Sequence, residues 1–363
     1  MSELDDVLSA LETAEDNVAL ATVIGVRGST YRREGARLVI PAEGDTVGNI
    51  SGGCLEGDVI QTAREVLASG APQVLHFDLT ADDEAVWGWG LGCNGAIDVL
   101  VEPASNARPY VAAMQAARRE HRPVALVTLA DGPQTGARLI VHPDGSTEGG
   151  LGRAARDAGL DALVTGRSAT VSVAGVQAFV EVLPPPLRLI VCGAGHDAIP
   201  VVEFGARLGW RVEVVDDRRP FLNADRFPGA SRLLHSAPGA AADALQPDDR
   251  TYVGVMSHNF LRDAAYLRAF LASPAPYLWM LGPAARLERL LDSLAADGLP
   301  RPDEADRARL HGPAGLDVGA EGPEEIAWAI VAEILALHRR AGAGFLRDRG
   351  GPIHPRAAMD SVG

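Results

Sequence analysis

Lysine is absent: all 33 basic residues of the chain are arginine. That excludes mechanisms built on a lysine amine, such as a P-loop lysine on a nucleotide phosphate, a Schiff-base lysine or the strand lysine of a kinase. Any bound anion must be held by guanidinium forks, main-chain N–H groups or helix N-termini. Cysteine is scarce: Cys54, Cys93 and Cys192 are too few and too scattered for a disulfide framework or a paired-cysteine zinc site, so each is read singly as a thiol. Long apolar runs are missing, with no stretch of about 18 such residues. The N-terminus MSELDDVLSALETAEDN is acidic where a secretory signal is basic and then apolar. A cytoplasmic protein with no membrane span is expected. Positive charge is in deficit, 33 basic against 48 acidic residues for a net charge of −15, which disfavours a nucleic-acid or anionic-membrane surface.

What is present suggests two domains at about 150 residues each. The run Pro184, Pro185, Pro186 is the sharpest break and reads as a linker. It separates a domain at 1–183 from one at 187–345, with 346–363, rich in glycine and proline, read as a disordered tail. In the first, apolar strands at 18–24, 36–40 and 96–101 and helices at 3–16, 57–69, 109–120 and 150–159 predict an α+β domain. In the second, strands at 187–192, 211–216, 252–256 and 277–281 alternate with helices at 196–208, 260–272, 284–297 and 323–340. That alternation predicts βαβ units in a Rossmann-like, doubly wound parallel sheet, so the chain is α/β overall.

Two blocks of the first half match each other. Val18-Ala19-Leu20-Ala21-Thr22-Val23 parallels Val124-Ala125-Leu126-Val127-Thr128-Leu129, and Gly35-Ala36-Arg37-Leu38-Val39-Ile40 parallels Gly136-Ala137-Arg138-Leu139-Ile140-Val141. The offset falls from 106 to 101, so the first copy has five extra residues in its loop 25–34, which holds Arg27, Ser29, Arg32 and Arg33. Opposite Ser51-Gly52-Gly53-Cys54 the second copy has only Gly149-Gly150-Leu151. Read as a duplication, one copy keeps the strands and the other also carries chemistry. Read as convergence, two short hairpins share apolar strings.

The cysteines of this half sit among glycines. Gly52 and Gly53 allow close main-chain approach, Ser51 adds a hydroxyl, and the helix beginning near Gly57 offers free N–H groups that bias Cys54 toward thiolate. Cys93 closes the glycine-rich segment WGWGLGCNG with Asn94 after it. A lone cysteine is more often a small buried filler. Two of them, each beside glycines and in the same half as an arginine-rich loop, point to a site. Glu56 reads as a carboxylate complementing the helix dipole.

The strings GSTYRREGARLVIP, SGGCLEGDV and GLGCNGAIDVLVEP resemble the N-terminal domain of the xanthine dehydrogenase accessory factor family, also called XdhC/CoxI. LIVCGAGHDA, VEVVDDRRPFLNADRFPGA, SHNFLRDAAYLRAFL and HGPAGLDVGAEGPEEIAWAIVAEI resemble its C-terminal domain, in the family's order. Members are regarded as chaperones that bind the molybdenum cofactor and support its sulfuration and insertion into molybdenum hydroxylases such as xanthine or carbon monoxide dehydrogenase. The resemblance implies cofactor binding by Arg27, Ser29, Arg32, Arg33, Ser51, Gly52, Gly53 and Asn94. Cys54 or Cys93 would be the metal ligand or sulfur relay, since molybdenum takes soft sulfur donors. The implied cargo is molybdopterin or its dinucleotide form, and the implied partners are the hydroxylase, a cysteine desulfurase and a second copy in a homodimer. The chain departs from the family pattern at Asn94, where glycine is usual, at Tyr31, often proline, and after Gly282, where a serine and basic cluster is missing.

In the second half Gly193-Ala194-Gly195-His196-Asp197-Ala198 follows a buried-type strand and opens a helix. Asp216 and Asp217 end the next strand, as in the dinucleotide fingerprint. His196 lies in that turn and His258 ends the strand at 252–256, so Gly193, Gly195, His196, Asp216, Asp217 and His258 are the candidate nucleotide residues. Cys192, within a strand, reads as core packing. Two functions follow: a molybdenum-cofactor carrier serving a hydroxylase, more carrier than turnover enzyme, or an NAD(P)-dependent oxidoreductase using Gly193, Gly195 and Asp216.

Overall fold

The computed structural model describes residues 3–14, 17–53, 55–78 and 94–350. The chain forms two units, divided between Pro185 and Pro186.

The first unit runs α1 (Glu3–Thr13), β1 (Val18–Ser29), β2 (Arg37–Pro41), β3 (Val47–Gly48), α2 (Glu56–Ser69), β4 (Gln73–Asp78), β5 (Asn94–Pro103), α3 (Ala104–Arg119), β6 (Val124–Leu129), β7 (Arg138–Val141), β8 (Thr147–Gly149), α4 (Arg153–Thr165), β9 (Ala169–Val173) and β10 (Val176–Leu183). Its two antiparallel sheets have orders β3-β2-β1-β5-β4 and β8-β7-β6-β10-β9. The same strand–strand–strand–helix–strand–strand unit therefore occurs twice, and the matched sequence blocks are its first two strands.

Alternation along the strands sets the layers. Ala19, Ala21 and Val23 of β1 turn to α2, whose Val59, Ala63 and Val66 recur at helical spacing. Ala125, Val127 and Leu129 of β6 turn likewise to α4. The opposite faces, with Leu20, Val39, Leu126 and Ile140, share one core with α1 and α3.

That shared core also encloses charge. Thr22 pairs in register with Arg37 and Leu20 with Glu102, while Thr128 pairs with Arg138 and Leu126 with Glu181, so the residues correspond between copies. The ion pairs cross over: Arg37 binds Glu181 and Arg138 binds Glu102, each arginine through both terminal nitrogens. All four side chains are buried. Each arginine also donates to a glycine carbonyl of its own copy, Gly35 (2.8 Å) or Gly136 (2.9 Å). This reciprocal pairing is the arrangement of a two-fold axis relating the copies.

Some boundaries differ from expectation. β1 runs on through 25–29, past a bulge between Val23 and Gly25, because β5 supplies partners up to Asn94. Arg27 and Ser29, expected in a loop, are thus strand residues. α3 starts at Ala104, with Pro109 inside it, and α4 at Arg153. Residues 351–363 of the expected tail lie outside the described residues.

The second unit runs β11 (Arg188–Cys192), α5 (Ala198–Arg207), β12 (Arg211–Asp216), β13 (Arg232–His235), α6 (Ala241–Leu245), β14 (Thr251–Val255), α7 (Phe260–Leu271), β15 (Tyr277–Met280), α8 (Ala284–Ala296), α9 (Glu304–Ala308), β16 (Leu310–His311) and α10 (Gly322–His338). The strands form one six-stranded sheet, β13-β12-β11-β14-β15-β16, parallel at every pairing. This is the Rossmann order, with its switch point between β11 and β14. The central strands are buried on both faces: α5 and α10 cover one, while α7 and α8 cover the other. Cys192 is fully buried there, and burial pushes its thiol pKa well up, so it is an inert core residue. No helix among the described residues is long and apolar enough to cross a membrane.

Candidate functional site

Comparing the two copies isolates what the first has added. Before β2 its β1 runs 12 residues where β6 has 6, so this addition lies in the strand, the loop 30–36 that follows standing against 130–137 of the second copy. Between β3 and α2 it has 49–55, where the second copy has 150–152. Between β4 and β5 it has 79–93, where β9 and β10 are joined by Ala174 and Gly175 alone. The antiparallel registers place the described strand ends that flank all three at one end of the sheet. Every site residue expected in this half lies in them or at their margins.

Ser29 and Asn94 are register partners at the far end of the β1–β5 ladder. Tyr31 is two residues past Ser29, within about 7 Å of chain, and a Cβ placed on Gly52 would stand 4.0 Å from the Tyr31 ring. The glycine turn, the arginine loop and the start of β5 are thereby gathered. Cys54 and Cys93, the expected metal or sulfur residues, lie outside the described residues; in the chain they adjoin Gly53 and Asn94. Among the described residues no cluster of three or more His, Cys, Asp or Glu could hold a metal.

The expected anion-binding residues divide by their partners. Arg27 is clamped to Asp98 (2.7 and 3.0 Å), which also holds His76 Nδ1 at 2.8 Å. Burial raises the Asp98 pKa, but hydrogen bonds from Arg27 and His76 outweigh it and hold the group low. Arg32 is paired with Glu3 of α1. Arg33 is exposed and has no side-chain partner among the described residues, so its fork is available.

Ser51 is spent on the turn. Its hydroxyl donates to Glu56 (2.5 Å) and accepts from the N–H groups of Gly53 (3.1 Å) and Leu55 (3.3 Å), while Glu56 accepts from Ser51 N–H (3.1 Å). Glu56 therefore reaches back like the glutamate of a capping box, beyond complementing the dipole. Gly52 and Gly53 stay exposed, and nothing crowds the space where their side chains would be.

Beside this turn lies an open cleft of about 340 Å³ between Glu3, Leu4 and Val7 of α1 and the segment 31–37. Tyr31, 66% exposed, and the half-buried Glu34 line it with Arg32 and Arg33. Glu34 has no hydrogen-bond or ion-pair partner among the described residues. Tyr31 departs from the family pattern, and Glu34 carries no motif of its own in the amino-acid sequence.

In the second unit all the expected residues meet at the carboxyl end of the parallel sheet, around the switch point. Gly193 and Gly195 follow β11, Asp216 and Asp217 end β12, and His258 follows β14. Asp216, however, is 1% exposed and fully engaged. Its Oδ2 accepts from Ala194 N–H (2.7 Å) and Arg218 Nη2 (2.8 Å), its Oδ1 from Arg218 N–H (2.7 Å) and Nε (2.9 Å). Four donors saturate a carboxylate, leaving no lone pair for a ribose hydroxyl. Asp217 is half-exposed and paired with Arg262 at 2.8 Å. His258 has φ +57° and sits 2.9 Å from Asp197, where a dinucleotide's pyrophosphate would approach the turn. His196 is exposed in that turn.

Burial raises the Asp216 pKa, yet the Arg218 and Ala194 hydrogen bonds more than offset it, so the folded pKa is depressed. The associated stability is present above the ordinary carboxylate pKa of about 3.9 and is lost as pH falls through the folded value. Asp216→Asn is expected to cost about 2 kcal/mol at neutral pH by weakening these charge-assisted bonds, with the deficit narrowing below about pH 4. Urea midpoints across pH test this; a deficit that stays constant into acid would refute it.

Comparison with known proteins extends the resemblance. A family profile described as the XdhC Rossmann domain matches residues 189–334, and one described as the XdhC and CoxI family matches residues 11–78. A Bacillus subtilis (strain 168) protein, named as a probable subunit of xanthine dehydrogenase, is 30% identical over 350 residues, spanning 94% of this chain and 99% of that one. The Escherichia coli (strain K12) molybdenum cofactor insertion chaperone PaoD is 22% identical over 318 residues, 88% of this chain and 82% of PaoD. A solved structure, described as a xanthine dehydrogenase from Bacillus halodurans, matches with TM-score 0.78 at 29% identity, covering 95% of this chain and 98% of the other. With both units matched in order, and a relative aligned along nearly the whole of both chains, this chain belongs to the XdhC and CoxI family.

Proposed function

We propose that this chain is an accessory protein for a molybdenum hydroxylase of the xanthine dehydrogenase type, carrying the molybdenum cofactor as cargo and presenting it for sulfuration and insertion. The observation that carries this reading is the asymmetry of the duplicated unit: three additions in one copy, flanked by strand ends at one end of the sheet, carry in their sequence the arginine loop, the glycine turn and both glycine-flanked cysteines. Likeness to a relative named as a molybdenum cofactor insertion chaperone supports it.

The residues suit such cargo. The cofactor is an anionic, phosphorylated pterin, and the site offers Arg33, unpaired among the described residues, a second guanidinium at Arg32 and the open main chain of Gly52 and Gly53. A cleft of about 340 Å³ is within the range of small-ligand sites. Cys54 and Cys93 are soft donors adjoining this site in the chain, fitted to molybdenum or to holding a sulfur delivered by a cysteine desulfurase. When bound, the cofactor brings the molybdenum–dithiolene centre that the receiving enzyme uses. The Rossmann unit would take the nucleotide part of a dinucleotide form at His196 and His258, and a cytoplasmic homodimer belongs to the same reading. The saturation of Asp216 argues against the NAD(P)-dependent oxidoreductase reading.

Native mass spectrometry of the protein co-produced with the cofactor pathway tests this. Wild type should carry the mass of molybdopterin or its dinucleotide, with occupancy reduced about tenfold in Cys54→Ala or Cys93→Ala if each thiol contributes a metal–sulfur contact. A protein that binds no pterin but turns over NADH with a small substrate would overturn the proposal.

A further inference from the structure

The cleft beside α1 contains two features that phosphate binding does not explain. Glu34 sits in its wall as a half-buried carboxylate with no partner among the described residues, and a phosphate held by Arg33 leaves it unmet. Tyr31 is a large aromatic, 66% exposed, between the cleft and the glycine turn, with Leu4 and Val7 as an apolar wall in the same cleft. An unpaired carboxylate calls for a ligand with N–H donors, and an exposed aromatic beside apolar side chains calls for a flat ring.

We infer that this cleft recognises the 2-amino-4-oxo heterocycle of a pterin, with the Tyr31 ring stacked on its face and the Glu34 carboxylate accepting from its amino group and adjacent ring N–H. This rests on the cofactor-carrier reading and adds to it the residues that distinguish the ring from other flat anions. A pyrimidinone with an exocyclic amine presents two parallel donors, which a carboxylate meets with two charge-assisted hydrogen bonds. Arg32, tied to Glu3, holds α1 against the loop that carries Tyr31 and Glu34. Neither Tyr31 nor Glu34 has a partner among the described residues that its replacement would strand, so variants at both positions should fold as wild type does.

Fluorescence titrations of the full-length protein with pterin, and with lumazine, which has a carbonyl in place of the amino group, read the two contacts separately. Wild type is expected to bind pterin about tenfold or more tighter than lumazine. Glu34→Gln should abolish that preference. Tyr31→Leu should weaken both rings about tenfold, as loss of a stacking partner does, and Tyr31→Phe should restore them. Equal binding of pterin and lumazine by wild type, or a preference unchanged in Glu34→Gln, would overturn the assignment. In native mass spectrometry, wild-type cofactor occupancy that persists undiminished in Tyr31→Leu overturns the cleft assignment and leaves the carrier reading standing. Pterin titrations as expected, without capture of the whole cofactor, overturn the carrier reading alone.

Discussion

Glu102→Gln is expected to destabilise the first unit by about 3–5 kcal/mol, because it leaves a guanidinium buried without its carboxylate. Arg138 is 4% exposed, and Glu102, fully buried, is the carboxylate it binds. A charge in that position must be paired; once its partner is neutral, the carboxylate of the companion pair, Glu181, is already taken up by Arg37. Urea denaturation should show the loss as a lowered midpoint. Replacing both members, Glu102→Leu with Arg138→Met, should recover most of it, since the double variant buries apolar groups and strands no charge. A double variant no more stable than the single would show that the pair is not what Glu102 supports. Glu181→Gln should behave similarly through Arg37. Arg37 also lines the α1 cleft, so that variant alone should disturb ligand binding there as well.

Gly193→Ala is expected to cost about 3 kcal/mol or more and to act on the second unit only. Gly193 has φ +115°, a conformation that a side chain strains. A Cβ there would stand 2.7 Å from Ser257 Cα and 2.8 Å from the Met256 carbonyl carbon and oxygen. These are main-chain atoms at the end of β14, and they can yield only if β11 and β14 part at the switch point. In calorimetry the transition of the second unit should fall by roughly 6–12 °C while that of the first stays in place. An unshifted second transition would mean that the turn relaxes freely and that its glycine is needed only for a ligand's approach.

The second unit was legible from local pattern. Leu189-Ile190-Val191-Cys192, the glycines after it and the acid ending the next strand are separated by the spacing of one βαβ unit, so residues close in sequence carried the fold. What local pattern could not show is that Asp216 would be saturated by Arg218, two residues on, since the same spacing fits an acid left open for a ribose. Arg27 looked like a loop cation because its strand partner, Ala96, lies far along the chain beyond 79–93.

The amino-acid sequence by itself determined the exclusion of lysine chemistry, the parallel α/β half, the matching strand blocks and the family. Each of these depends on composition, or on hydrophobic and glycine patterns a few residues long. Tertiary structure decided which charges remain for a ligand. Arg37 meets Glu181 across 144 positions and Arg138 meets Glu102 across 36, as two copies facing about a two-fold axis require. Arg27 is given to Asp98 and Arg32 to Glu3, so among the described residues Arg33 alone of the loop arginines keeps its fork free, beside an equally free Glu34. Side-chain pairing depends on distances in space, and these exist only once strands and helices have packed and, for the buried pairs, the two copies have met.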